Sequence, residues 1–187
     1  IPQGTLEILV LANNCNDKTA SVVRQLSLEI PHPVKVVEES MPPDQVNAGW
    51  ARNRAMDLAA IRLAELAPIH GLILTTDADS RVAHTWLAAN LSEFEKGVDC
   101  VAGYIDAIPG EYLTLGGEFL TRGRLEDTYL RYLAEISAVC DPRSHDPWPN
   151  HRVSSGASLA VTLAAYSAIG GLPARALGED TALIKAL

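Results

Sequence analysis

Two carboxylates spaced two residues apart, Asp77 and Asp79, end the apolar run LILTTDADS at 72–80. A buried strand of a parallel sheet has continuous apolar sequence, and ligands bind where such strands end. Carboxylates at that point can coordinate a hard divalent cation through oxygen, and the cation can hold a diphosphate. The alternative is a polar strand end that only caps a loop. The stretch therefore indicates either a metal site or a capped strand.

Size and charge exclude several classes of protein. The 187 residues suffice for one sizeable core, and 48% hydrophobic with 20% charged residues is ordinary for a globular protein. The net charge of −8 and the lack of a Lys/Arg block argue against nucleic-acid partners. A nucleotide ligand remains compatible, because a metal and one or two arginines can meet its charge.

The three cysteines, Cys15, Cys100 and Cys140, are widely spaced and contain no CxxC pair. This pattern favours neither zinc nor a disulfide framework, so we expect a cytoplasmic protein. No apolar run reaches the roughly 18 residues of a membrane span, and we expect no transmembrane segment. The chain opens without Met and stops within a helical pattern, so we expect it to be truncated at both ends.

The first half of the chain alternates between predicted strands and helices. The strands are predicted at 6–12, 34–37, 71–76 and 98–104, and the helices after the turn at 14–17 up to about residue 29, at 46–67 and at 85–95. This alternation is typical of a doubly wound α/β domain with a mostly parallel sheet. The ends of its strands would place Asn13 and Asp17 on one rim with Asp77 and Asp79.

The second half is less regular. Residues 105–125 are poorly periodic and glycine-rich, which predicts a loop, and 141–150 are predicted to be irregular. Helices are predicted at 126–139, at 164–169 and from 178–181 onward, and the stretch 153–162 is predicted to become a strand.

Four further residues, at three places in the chain, each have two interpretations. Glu179 and Asp180 begin the last predicted helix, where acidic residues cap the helix or where one of them serves as a catalytic base. Arg52 lies either on a solvated helix face or beside a phosphate. Gly156 indicates close backbone approach to a ligand or to a neighbouring strand.

Several common catalytic signatures are missing from the sequence. There is no Gly-x-Ser-x-Gly elbow, Cys/His dyad, Walker A motif or Gly-x-Gly-x-x-Gly pattern. A serine hydrolase, a P-loop kinase and a dinucleotide dehydrogenase are therefore disfavoured.

Four stretches in order resemble the nucleotide-diphospho-sugar glycosyltransferases of family 2. They are LEILVLANNCNDKTA (6–20), GWARNRAMDLA (49–59), LILTTDADSRV (72–82) with WL at 86–87, and SSGASLAVTLAAYSAIGGLP followed by LGEDTAL (154–183). The resemblance implies the GT-A fold, a Rossmann-like α/β/α sandwich with a mostly parallel central sheet. It also implies a single domain over 1–187 that lacks the family's first strand and is cut short at the C-terminus.

The resemblance also implies a donor site for a UDP- or GDP-sugar. Asn13 and Asp17 would line the base pocket, and Arg52 would lie beside the nucleotide or its phosphates. Asp77 would contact the nucleoside, and Asp79, in the family's Asp-x-Asp motif, would coordinate Mg²⁺ or Mn²⁺ at the diphosphate.

The resemblance also implies that Ser155, Gly156 and Gly171 help shape the cleft for donor and acceptor, with Ser155 and Gly156 binding the nucleotide-sugar. It further implies that Asp180, after Glu179, is the general base. The implied reaction is a hexosyltransferase-like transfer to an unknown hydroxyl acceptor, with inversion at the anomeric carbon.

Two alternatives stay open. One is a nucleotide-sugar-binding module without turnover, because Ala12 stands where many family members carry an acidic residue and because the first strand is missing. The other is a metal-dependent nucleotidyltransferase using the same carboxylates, which would require a Gly-rich, basic phosphate loop that we do not find near the N-terminus.

Overall fold

The chain is an α/β protein in the computed structural model, which describes residues 4–66, 70–151 and 154–187. The strands in these ranges are β1 (Ile8–Asn13), β2 (Val34–Glu39), β3 (Leu72–Thr75), β4 (Cys100–Ala102) and β5 (Leu159–Thr162). The α-helices in the same ranges are α1 (Thr19–Leu26), α2 (Ala48–Leu66), α3 (Trp86–Phe94), α4 (Pro109–Tyr112), α5 (Gly117–Cys140), α6 (Leu163–Ala168) and α7 (Glu179–Ala186).

The alternation predicted for the first half is confirmed. Each predicted strand and helix overlaps an observed one, from β1 to β4; most are shorter than predicted, and β2 extends two residues further, to Glu39. The later predictions of β5, α6 and α7 are confirmed as well. Residue 67, the predicted end of the second helix, and residue 153, the predicted start of the last strand, lie outside the described residues.

The predicted loop at 105–125 is wrong. This stretch contains α4, a 3-10 turn at Leu113–Leu115 and the start of α5. Gly123 lies inside α5, where the hydroxyl of Tyr112 occupies the space that a Cβ would take. Glycine at this position therefore allows close packing and does not break the chain.

Strands β1 and β2 form a parallel two-stranded sheet. Their register runs from Ile8 opposite Val34 to Asn13 opposite Glu39. Helix α1 connects the two strands, as a parallel pair requires a crossover. Since parallel strands end on the same side, the residues after β1 lie beside the end of β2, and the N–H of Asn14 donates to the carbonyl of Glu39 over 2.9 Å.

The other three strands form an antiparallel sheet in the order β3-β5-β4. Gly71, just before β3, accepts from the N–H of Leu163, just after β5, over 2.8 Å. Gly103, just after β4, donates to the carbonyl of Ser158, just before β5, over 2.8 Å. Each contact joins the start of one strand to the end of another, which is the antiparallel pattern.

The prediction of one mostly parallel central sheet is therefore corrected: the described strands form two small sheets, one parallel and one antiparallel. The alternation of strands and helices implies parallel neighbours only where consecutive strands pair through a crossover. Strand β5 instead follows the long helix α5 and the irregular residues 141–151, and it enters between β3 and β4 in the opposite direction.

The chain divides into two compact units, one of Ile1–Ile73 with Val161–Leu187 and one of Leu74–Ala160. The first unit has Met56, Leu172 and Leu183 among its buried side chains, and the second has Asn90 and Ala134. No helix in the described ranges is long and apolar enough to cross a membrane. The expected single domain over 1–187 stays a prediction.

Candidate functional site

Asp77 and Asp79 lie in a tight turn directly after β3. The N–H of Ser80 donates to the carbonyl of Asp77 over 3.0 Å, which closes the four-residue turn. Asp77 is half-buried and Asp79 is exposed. Within the described part of the chain, the Asp79 carboxylate forms no hydrogen bond or ion pair. The prediction that both carboxylates stand at a strand exit is confirmed.

Ser155 and Gly156, in the same unit, are held against β3. The hydroxyl of Thr75, the last residue of β3, donates to the carbonyl of Gly156 over 2.7 Å. The hydroxyl of Ser155 accepts from the N–H of Ala157 over 3.2 Å and caps the short 3-10 turn that leads into β5. Two regions far apart in sequence therefore meet at the base of the Asp77–Asp79 turn.

Ser158 is a central residue of this unit that the sequence did not single out. Its side chain is 5% exposed, and its hydroxyl accepts from the indole N–H of Trp86 over 3.0 Å. A Cβ at Gly103 would lie 2.1 Å from the same hydroxyl, so only glycine fits on that side. The run of small residues before β5 is the sequence feature that could have indicated this contact, because small residues allow such close packing.

The Asp77–Asp79 turn suits a metal ion that takes some of its ligands from the protein and the others from the substrate. No group of three or more His, Cys, Asp or Glu side chains in the described residues is arranged to hold a metal ion without other ligands. Mg²⁺ is usually bound through one or two carboxylates together with substrate phosphates and water. The oxygen donors of the turn, with the Asp79 carboxylate exposed, fit that kind of site.

In the other unit, Asn13 and Asn14 shape the turn after β1. Asn14 adopts a left-handed backbone with φ of 52°, which Asn tolerates. Its side-chain amide donates to the carbonyl of Met41 over 3.1 Å and accepts from the N–H of Met41 over 2.8 Å. This clamp joins the two loops that follow β1 and β2. The Oδ1 atom of Asn13 is buried and has no hydrogen-bond partner among the described residues.

Asp17 has a local structural contact. Its carboxylate accepts from the N–H of Thr19, the first residue of α1, over 2.9 Å. Hydrogen bonds from the side chain and backbone of Thr19 lower the pKa of Asp17. The side chain is exposed, so this contact explains its place in the turn and leaves its predicted part in base recognition a prediction.

One face of α2 holds the segment that leads into α7. Its contacts are Asp57 with Tyr166, Asn53 with Leu172, Gly49 with Arg175 and Arg52 with Glu179. The Tyr166 hydroxyl donates to Asp57 over 2.7 Å, and burial, together with this carboxylate, raises the pKa of Tyr166. A Cβ at Gly49 would lie 2.0 Å from the carbonyl of Arg175, so the backbone approaches α2 as closely as glycine permits.

Arg52 and Glu179 form an ion pair in which the side chains are 14% and 7% exposed. Gly178 precedes the pair with a left-handed φ of 72° and starts α7. Asp180, the next residue, is half-buried, and its carboxylate accepts from the N–H of Thr181 over 2.6 Å. The structure therefore brings Arg52 to the first turn of α7, a pairing that the sequence interpretation had not made.

The predicted site residues fall into two local groups. Asp77, Asp79, Ser155 and Gly156 belong to the second compact unit. Asn13, Asp17, Arg52, Glu179 and Asp180 belong to the first. Comparisons with protein-family models, curated proteins and solved structures gave no significant match.

Proposed function

We propose that this chain is a metal-dependent glycosyltransferase of the GT-A type, family 2, which transfers a sugar from a UDP- or GDP-sugar to a hydroxyl acceptor. The observation that carries the proposal is the exposed Asp79 carboxylate in a closed turn at the exit of β3, beside Ser155 and Gly156. The resemblance of the four ordered sequence stretches to family 2 supports the same function and an α/β/α sandwich.

In this proposal the donor is held by its diphosphate. Asp79, with Asp77 beside it, holds Mg²⁺ or Mn²⁺, which when bound neutralises the charge of the leaving diphosphate as a Lewis acid. Asp77 contacts the nucleoside, and Asn13, as the resemblance implies, lines the base pocket.

Asp180 is the general base of the proposed reaction. The acceptor oxygen attacks the anomeric carbon, the bond from that carbon to the diphosphate oxygen breaks, and the acceptor proton passes to Asp180. Direct displacement of this kind inverts the configuration. Glu179, paired with Arg52, fixes the first turn of α7 and so orients Asp180, which gives this pair a positioning role in addition to the predicted contact of Arg52 with the nucleotide.

A cleft in the second unit suits a hydroxyl-rich acceptor. It has a volume of about 420 Å³ and is lined by Tyr104, Asp106, Tyr112 and Asp127 among others. Aromatic faces pack on sugar rings, and carboxylates accept hydrogen bonds from hydroxyl groups. The lining of this cleft therefore favours a carbohydrate acceptor rather than an apolar one.

Calorimetric titration of UDP and GDP in the presence of Mn²⁺ tests the donor site. We expect Mn²⁺-dependent binding of one nucleotide, weakened roughly tenfold or more by Asp79→Asn because the metal loses a charged ligand. Asp44→Asn, which changes another exposed aspartate, in the first unit, is the matched control and should bind like the wild type. Equal affinity of Asp79→Asn and wild type would overturn the metal assignment.

A binding module is the second candidate, and Ala12 favours it. This residue is 3% exposed at the end of β1, so it offers the base no polar side chain. Release of UDP from UDP-glucose, or of GDP from GDP-mannose, separates the two functions. Nucleotide binding with no release in the presence of sugar and polyol acceptors would favour the module.

A further inference from the structure

Helix α5 carries a row of exposed apolar side chains that we call the α5 seam. Its members are Leu125, Tyr129, Tyr132, Ile136 and Val139, which are 67, 62, 52, 57 and 78% exposed. Their spacing is 4-3-4-3, the heptad spacing by which one helix packs lengthwise on another. Apolar side chains that are exposed singly need no explanation, but a regular row of five on one helix indicates an interaction surface.

The opposite side of α5 is packed within the second compact unit. Ala134 is 2% exposed, and at 100° per residue it lies roughly half a turn around the helix from the seam. Leu130 and Gly123, on the flank of this inner side, are half-buried. The helix therefore has one side committed to the fold and a second apolar side that faces solvent.

We propose that the α5 seam is the interface of a homodimer, in which it packs against an antiparallel α5 of a second copy. A two-fold interface must match itself, so that residue i contacts residue j and j contacts i. The seam meets this condition: Leu125 and Ile136 lie equally far from the midpoint of residues 130 and 131, and so do Tyr129 and Tyr132. Reversing the helix superimposes these four positions on one another, and the fifth, Val139, falls opposite Arg122.

This register sets the contacts across the interface. Leu125 packs on Ile136 of the second copy, Tyr129 packs on Tyr132 of the second copy, and each contact occurs twice. The four tyrosines occupy the centre, and tyrosine is enriched at protein interfaces because its ring buries apolar area while its hydroxyl stays hydrogen-bonded. Arg131 lies over the ring of Tyr132, 5.5 Å from its centroid, and flanks this centre.

The antiparallel register also sets the contact at the ends of the seam. Arg122 lies opposite Val139 of the second copy, and both side chains are exposed. The two-fold axis repeats this contact at the other end, whereas a parallel pair would place like residues opposite each other.

The apolar area is sufficient for a specific dimer. Five side chains of this size, half to four-fifths exposed, offer on the order of 500 Å² per copy, or about 1,000 Å² for the pair, before the flanking residues are counted. That total reaches the lower limit for specific interfaces.

Sedimentation of the 187-residue chain as a function of concentration tests the proposal. We expect a dimer, with its dissociation constant raised roughly 30-fold or more by Ile136→Glu, which places a charge in the apolar seam. Ile61→Glu is the matched control, because Ile61 is 55% exposed on α2, outside the seam, and should leave the dimer intact. A monomeric wild type, or a dimer that Ile136→Glu does not weaken, would overturn the proposal.

Disulfide trapping tests the direction of the helices. In a Cys15→Ser/Cys140→Ser background, which removes the exposed thiols, oxidation of Leu125→Cys with Ile136→Cys should give a covalent dimer. Leu125→Cys alone should stay unlinked. A covalent dimer of Leu125→Cys alone would show parallel helices and would contradict the antiparallel register.

Discussion

The two acidic pairs among the predicted site residues, Asp77 with Asp79 and Glu179 with Asp180, differ in how the fold uses them. Asp77 and Asp79 stand in a turn in which the Asp79 carboxylate is open to solvent. Glu179 and Asp180 stand at the start of α7, where Glu179 is 5% exposed and paired with Arg52. In the first pair, the carboxylate of Asp79 forms no ion pair with the described residues. In the second pair, the carboxylate of Glu179 forms an ion pair within the protein.

This difference assigns the two pairs different proposed roles: Asp77 and Asp79 bind a ligand, and Glu179 positions other groups. A carboxylate that recruits a cation must remain accessible, whereas a buried one must be neutralised by a partner within the protein. The two roles therefore predict different losses: changes in the exposed pair should affect ligands, and changes in Glu179 should affect stability.

The largest effect is expected from Asp180→Asn. The change removes the proton acceptor while keeping the shape of the side chain, so we expect kcat for sugar transfer to fall by roughly 10²- to 10⁴-fold. Measurement of UDP or GDP release with sugar acceptors gives the rate, and calorimetry should show unchanged Mn²⁺-dependent nucleotide binding. Wild-type turnover in this variant would remove Asp180 from the mechanism.

The next effect is expected from Glu179→Ala. Loss of the carboxylate that neutralises the Arg52 guanidinium should lower the free energy of unfolding by about 3 kcal/mol, measured by urea denaturation. Glu118→Ala is the matched control: Glu118 also lies in the first turn of a helix, α5, but is exposed, and its loss should cost no more than about 0.5 kcal/mol. Equal losses in both variants would mean that the ion pair does not stabilise the fold.

The smallest effect is expected from Asp17→Asn. Hydrogen bonds from Thr19 hold the pKa of Asp17 below its ordinary value of 3.8, so its contribution to stability is present above that pH and is lost as the pH falls through the folded-state pKa. Urea midpoints measured across this acid range should fall less steeply for the variant than for the wild type. Identical slopes would show that the Thr19 contact has no linkage to folding.

Local features were predictable from the sequence. The apolar runs at β1 and β3 and the carboxylates after β3 are set by neighbouring residues, because burial and turn formation act over a few positions. The start of α5 was missed because glycine usually indicates a break in a helix, whereas Gly123 lies inside α5 against the hydroxyl of Tyr112, a contact that local sequence does not reveal.

Long-range pairings were not predictable. Arg52 and Glu179 are 127 residues apart, and each had its own local interpretation as a phosphate contact or an acidic catalytic residue. The direction of β5 is likewise invisible in its own sequence, since an apolar strand reads the same whichever way its neighbours run. Such features depend on which segments meet after folding.

The position of β5 also constrains the order of events during synthesis. Strands β3 and β4 end at Thr75 and Ala102, but the strand that joins them begins only at Leu159. Both strands therefore leave the ribosome before β5 is synthesised. Their N–H and C=O groups can form hydrogen bonds to β5 only after it has emerged. Sheet closure is a late step of high contact order, and until then the nascent chain exposes edges on which other chains can pair.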